Sequence, residues 1–133
     1  MEPWGGINLP PSKPKIVGPA SGKEGEEYDF TISTIDPDED EIFFWIDWGD
    51  GNIEDWIGPY NSSEEVNISH TWSKKGNYII KAKARDIYFQ ESDFVEFSIT
   101  IPRDRMQISS FLLNFFNKSP PIQRLIRILL WYF

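Results

Sequence analysis

The chain has 133 residues, enough for one domain of roughly 100–150 residues with flanking segments but not for two independent cores. It has no cysteine, which excludes disulfides, thiolate nucleophiles, iron–sulfur clusters and the usual structural zinc sites, and its 40% hydrophobic and 16% aromatic content excludes global disorder. The formal charge of −8 is unevenly spread: residues 1–102 carry 8 basic and 20 acidic side chains, residues 103–133 carry 5 and 1, and so acidic a body excludes nucleic acid, whose phosphates are bound through Lys and Arg.

Residues 1–14 hold four prolines (Pro3, Pro10, Pro11, Pro14) with Gly5 and Gly6 and little hydrophobic periodicity, which predicts an extended linker leading into the domain. Met1 is followed by Glu2, Pro3 and Trp4 rather than by a basic region and an apolar run, so this stretch is no signal peptide. Export then requires a signal on a longer precursor. No segment reaches the roughly 20 consecutive apolar residues of a membrane-spanning helix.

From Lys15 to Pro102, short segments rich in aromatic and β-branched residues alternate with clusters of Gly, Pro, Asp, Asn and Ser, the pattern of an all-β sandwich. Glu26–Thr34 alternates Tyr28, Phe30 and Ile32 against Glu27, Asp29 and Thr31. Ile42–Trp48 turns Phe44, Ile46 and Trp48 inward and stops at Gly49-Asp50-Gly51, and a strand around Ile53–Ile57 pairs back as a hairpin. Glu65–Trp72 alternates Val66, Ile68, His70 and Trp72. Gly76–Asp86 sets Tyr78, Ile80, Ala82 and Ala84 against Lys81, Lys83 and Arg85, and Phe94–Ile101 sends Val95, Phe97, Ile99 and Ile101 inward. About seven strands result.

After Pro102 the period changes from two to about 3.6. Ile108, Phe111, Leu112, Phe115 and Phe116 fall at helical spacing, and so do Ile122, Leu125, Ile126, Leu129, Leu130 and Phe133. Two short C-terminal helices are therefore expected within a hydrophobic, basic tail over 103–133, the second begun by Ser119, Pro120 and Pro121.

The run Phe44-Trp45-Ile46-Asp47-Trp48-Gly49-Asp50-Gly51 resembles the signature strand and turn of the PKD domain, with Ile46 where that family usually has tryptophan. Ser69-His70-Thr71-Trp72, then Lys75-Gly76-Asn77-Tyr78, then Ala84-Arg85-Asp86 are similar to its later motifs, in the same order and spacing over residues 15–102. Ile16-Val17-Gly18-Pro19, Asp36-Pro37-Asp38 and Glu91-Ser92-Asp93 look like the archaeal subset. The resemblance implies a seven-stranded immunoglobulin-like β-sandwich of the kind found in surface, adhesive and hydrolase-associated proteins, and it implies no catalytic activity.

Asp36, Asp38 and Asp40 occupy alternate positions of one loop, a spacing that lets carboxylates converge on a hard cation such as calcium. Some PKD-like domains place calcium between such a loop and the end of a later strand, which makes Asp86 a fourth ligand by resemblance. A solvated acidic turn accounts for the same residues through turn chemistry. His70 is the single histidine, so its expected role is structural, and the turn position of Asp47 and Asp50 favours a structural role over a glycosidase acid and base.

Trp45, Trp56 and Tyr60 near the central hairpin suit an aromatic platform for sugar rings, or simple core and edge packing. Asn61-Ser62-Ser63, Asn67-Ile68-Ser69 and Asn117-Lys118-Ser119 fit the glycosylation pattern, of which only the first is expected in a surface loop. In the tail, Ile122, Leu125, Ile126, Leu129, Leu130 and Phe133 share one helical face opposite Arg124 and Arg127. Such a face suits an anionic membrane surface, a groove on a partner, or the chain's own sandwich.

These features predict a non-catalytic interaction, adhesion or spacer module of a surface or secreted archaeal protein, with a protein or surface glycan as partner and peripheral membrane contact through the tail. It needs no cofactor, calcium being the one ion its residues suggest. The alternative is an accessory carbohydrate-binding module associated with a hydrolase.

Overall fold

Alternation of apolar and polar side chains gives each segment one face that must be covered, and two such faces cover each other. In the computed structural model, which describes residues 6–103, the strands are β1 (Lys15–Val17), β2 (Glu27–Ser33), β3 (Ile42–Asp47), β4 (Ile53–Tyr60), β5 (Val66–Thr71), β6 (Gly76–Asp86) and β7 (Val95–Ile101). They form a three-stranded sheet ordered β1-β2-β5 and a four-stranded sheet ordered β4-β3-β6-β7, all pairs antiparallel. The two expected tail helices lie outside the described residues.

Phe30 and Ile32 of β2 and Val66 of β5 meet Phe44 and Ile46 of β3, Ile80 of β6 and Ile99 of β7 in a single core. On β6 the small Ala82 and Ala84 stand opposite Ile46 and Phe44, which leaves room for the large rings between the sheets. Trp48 and Trp72 close one end of this core. Their rings lie 5.7 and 5.8 Å from Phe30, and Trp72 Nε1 donates to the Trp48 carbonyl at 3.2 Å. A void of about 10 Å³ between the sheets, lined by Ile16, Phe30, Ile46 and Trp48 among others, has room for about one water.

The β3–β4 turn forms because its aspartates accept from its own amides. Gly49 N donates to Asp47 Oδ1 at 2.8 Å and Asn52 N to Asp50 Oδ1 at 3.1 Å. Gly49 has φ +82°, and a Cβ there would lie 2.7 Å from the Ile79 carbonyl oxygen. Only glycine satisfies both conditions.

Two details extend the sequence reading. β4 continues past Ile57 to Tyr60, with register shifts against β3 on either side of Phe44. Residues 6–14 of the proline-rich stretch form no strand, yet from Asn8 onward they are fastened to the sandwich: Leu9 N donates to Asp38 Oδ2 and Ser12 N to the Ile35 carbonyl, both at 2.8 Å. Prolines hold it extended, while its remaining amides and the Asn8 side chain make the attachments.

Candidate functional site

The loop after β2 turns sharply because the Asp36 carboxylate folds back on it. Asp36 Oδ1 accepts from Asp38 N at 2.9 Å and Asp40 N at 3.3 Å. Asp36 is 1% exposed, and carboxylate oxygens of Asp36, Asp38 and Asp40 lie within 4.8 Å of one another. Burial, opposed by those two amides and reinforced by the charges of Asp40 and Asp86, pushes the Asp36 carboxyl above the ordinary aspartate value.

Asp86 ends β6 at the same end of the sandwich. Its Oδ1 accepts from Tyr88 N and Gln90 N at 2.9 and 3.0 Å, and its Oδ2 accepts from Asn8 Nδ2 at 2.7 Å. The sequence reading of Asp36, Asp38, Asp40 and Asp86 missed Asn8. Its only signal was an amide between two apolar residues, Ile7 and Leu9, in a stretch read as linker. Three oxygens here, Asn8 Oδ1, Asp36 Oδ2 and Asp40 Oδ2, are buried without a hydrogen-bond partner among the described residues. Such atoms are costly unless something positive meets them, and an all-oxygen donor set is the chemistry of a hard divalent cation.

At the opposite end, His70 Nε2 lies 2.7 Å from Asp50 Oδ2, and the imidazole stacks on Trp48 at 4.6 Å and 3°. Burial alone raises the Asp50 carboxyl, but hydrogen bonds from His70 and Asn52 outweigh it and hold the carboxyl below the ordinary range. The arrangement fastens the β3–β4 turn to β5.

The outer face of the four-stranded sheet gathers aromatic and cationic side chains. Trp45 pairs with Lys83, and Phe43 with Arg85, across β3 and β6. Lys83 Nζ lies 5.6, 5.5 and 5.0 Å from the ring centres of Trp45, Trp56 and Phe94, while the Arg85 guanidinium lies 5.2, 4.5 and 4.6 Å from those of Phe43, Trp56 and Phe89.

Trp45 and Trp56 thus share this face, but Tyr60 does not join them: its ring lies 6.0 Å from Phe44 and packs against the core. Trp56 and Tyr60 would share a face in a regular strand. The pairing of Ile46, Phe44 and Ile42 with Glu54, Ile57 and Tyr60 inserts one extra β4 residue at each step, so Ile57 and Tyr60 turn inward and Trp56 outward.

Of the glycosylation triplets, Asn61 is exposed beyond β4, Asn67 lies within β5, and Asn117 is outside the described residues. So are the tail residues Ile122, Arg124, Leu125, Ile126, Arg127, Leu129, Leu130 and Phe133.

Seven antiparallel strands in facing sheets of three and four, closed around a buried tryptophan pair, define an immunoglobulin-like β-sandwich domain. The family model described as PKD domain matches residues 8–101, and the chain belongs to that family. It is similar to the PKD domain of an M14-like peptidase from Thermoplasmatales archaeon SCGC AB-540-F20, at 48% identity and a TM-score of 0.72, covering 73% of this chain and all 100% of that one.

The CARDB domain of PF1109 from Pyrococcus furiosus shares the fold alone, at 13% identity and a TM-score of 0.53 over 71% of this chain and 97% of that one. Among curated proteins, none matches the chain. PKD domains are in general non-catalytic modules of extracellular proteins.

Proposed function

We propose that this domain is a non-catalytic interaction or spacer module of a surface or secreted archaeal protein, stiffened by calcium at the end where the chain passes into the sandwich. The observation that carries this reading is the attachment of Asn8 to Asp86 and of Leu9 to Asp38, beside the cluster of Asp36, Asp38 and Asp40, with Asn8 Oδ1, Asp36 Oδ2 and Asp40 Oδ2 buried without partners among the described residues. Asn8, Asp36, Asp38 and Asp40 would hold the ion, with Asp86 orienting Asn8. The ion supplies positive charge to these oxygens and joins the stretch before β1 to the loop after β2.

A spacer works by transmitting orientation, so a joint fixed by a cation serves it directly. The archaeal peptidase domain to which the chain is similar supports an accessory place beside a larger protein, and an extracytoplasmic one, where calcium is plentiful. The tail over 103–133 is proposed as a second contact, with a membrane surface, a partner or the sandwich.

Limited proteolysis with and without calcium tests the reading. Cleavage within residues 6–14 is expected to slow severalfold when calcium is added, and an unchanged cleavage rate would overturn the stiffening role. A second reading, an accessory carbohydrate-binding module, is favoured by one observation: Trp45 and Trp56 both stand on the outer sheet face, beside the exposed Phe89 and Phe94.

A further inference from the structure

The outer face of the four-stranded sheet carries more than aromatic rings. Lys81 lies 3.9 Å from Glu96 and Lys83 2.6 Å from Glu91, so two of the three cations on β6 have carboxylate partners. Arg85 has none among the described residues, and its Nε is buried without a hydrogen bond. It is an uncompensated guanidinium framed by Phe43, Trp56 and Phe89 on a domain whose residues 1–102 are otherwise heavily acidic.

The frame is held in a costly way. Trp56 and Phe89, two of the three rings over Arg85, have φ of +47° and +68°. Bulky residues are uncommon in that region of backbone space, and the rest of the fold must impose it. The bulge in β4 and the tight turn after β6 therefore converge on one result, which is to bring rings over this guanidinium.

We infer that this face binds an anionic polysaccharide built from uronic acid units, with Arg85 taking a sugar carboxylate and the rings of Trp45, Trp56 and Phe89 packing on sugar C–H faces. Charge complementarity names the anion, because Arg85 is the cation on the sheet face that has no carboxylate partner among the described residues. A planar guanidinium presents paired N–H donors that match a carboxylate, and rings hold it in orientation.

The rings select a sugar over an acidic peptide. A uronate polymer offers an apolar ring face and a carboxylate on every unit, whereas an acidic peptide presents its carboxylates on flexible side chains with no flat ring face beside each one. Peptides also favour unpaired strand edges. The β4 edge carries Glu54 and Asp55 and is broken by two register shifts, which discourages strand addition there.

This inference rests on the carbohydrate-binding reading of the outer face, and the test separates the two. The full chain is run by affinity electrophoresis through gels containing polygalacturonate, its highly methyl-esterified form, or polyglutamate. Retardation by polygalacturonate alone is expected, weakened about tenfold in Arg85→Gln, less in Arg85→Lys, and unchanged in Lys23→Gln.

Equal retardation by the methyl-esterified polymer would overturn the role of the carboxylate while leaving sugar binding standing. Equal retardation by polyglutamate would overturn the sugar. No retardation in any gel would overturn both the inference and the carbohydrate reading. Melting curves accompany each variant, and binding lost by a folded Arg85→Lys to the same extent as by Arg85→Gln assigns the effect to guanidinium geometry, whereas full binding by both variants would contradict any role for Arg85.

Discussion

His70 Nε2 meets Asp50 Oδ2 at 2.7 Å while its ring lies flat against Trp48, so one side chain of β5 holds both the β3–β4 turn and the tryptophan that closes the core. This places the chain's single histidine in architecture. His70→Ala removes the hydrogen bond and the stacking together and leaves the largely buried Asp50 carboxylate without that partner. A loss on the order of 2 kcal/mol is expected, or roughly 10 °C in melting temperature for a domain of this size. Thermal melting of the variant checks it.

The two perturbed carboxyls pull the pH dependence of stability in opposite directions. Asp50 titrates below the ordinary value when folded, so its contribution is complete above about pH 4 and is lost as pH falls through the folded value. Asp36 titrates above it, so the metal-free domain loses stability as pH rises from about 4 through the folded Asp36 value. Across acid to neutral pH in metal-free buffer, the rise in melting temperature on the acid side is expected to flatten in Asp50→Asn, and the fall toward neutral pH is expected to flatten in Asp36→Asn.

Gly49 tests the turn itself. Alanine there meets both a positive φ and the Ile79 carbonyl oxygen, so Gly49→Ala is expected to cost more than about 1 kcal/mol. Gly25 has φ +75° but open space around its Cβ position, and Gly25→Ala is expected to cost less. Parallel denaturant titrations compare the two.

For the tail, co-sedimentation of the full chain with anionic vesicles is expected, and its disappearance on removal of residues 103–133 would assign membrane contact to Arg124, Arg127 and their apolar neighbours. Binding that survives truncation would contradict that assignment. Loss of solubility on truncation would instead indicate that these residues cover the sandwich.

Much of the sandwich was legible because its signals are local. Alternation in Glu27–Ser33 and Gly76–Asp86 gives strands and inward faces, and Asp47 through Gly51 gives a turn whose amide acceptors are written in its own side chains. The outer face was only half legible. Trp56 and Tyr60 have the same parity, and the two extra residues that part them exist only in the pairing of β4 with β3.

The acidic loop announced itself by spacing. Asn8 did not, because its role depends on a contact with Asp86, 78 positions away along the chain. Arg85 was readable as an outward residue of β6, but that it has no carboxylate partner among the described residues emerges only when Lys81 and Lys83 are seen to have taken Glu96 and Glu91.

The most direct test of the central claim is the melting temperature of the full chain in chelator and in millimolar calcium, measured beside Asp36→Asn. The native chain is expected to melt higher with calcium, by about 2.7 kcal/mol of added stability at a hundredfold excess over the dissociation constant. Asp36→Asn keeps the oxygen that accepts from Asp38 N and Asp40 N and sheds the buried charge, so it is expected to melt above the native chain in chelator and to gain nothing from calcium. A native chain whose melting temperature is the same in chelator and in calcium would contradict the account.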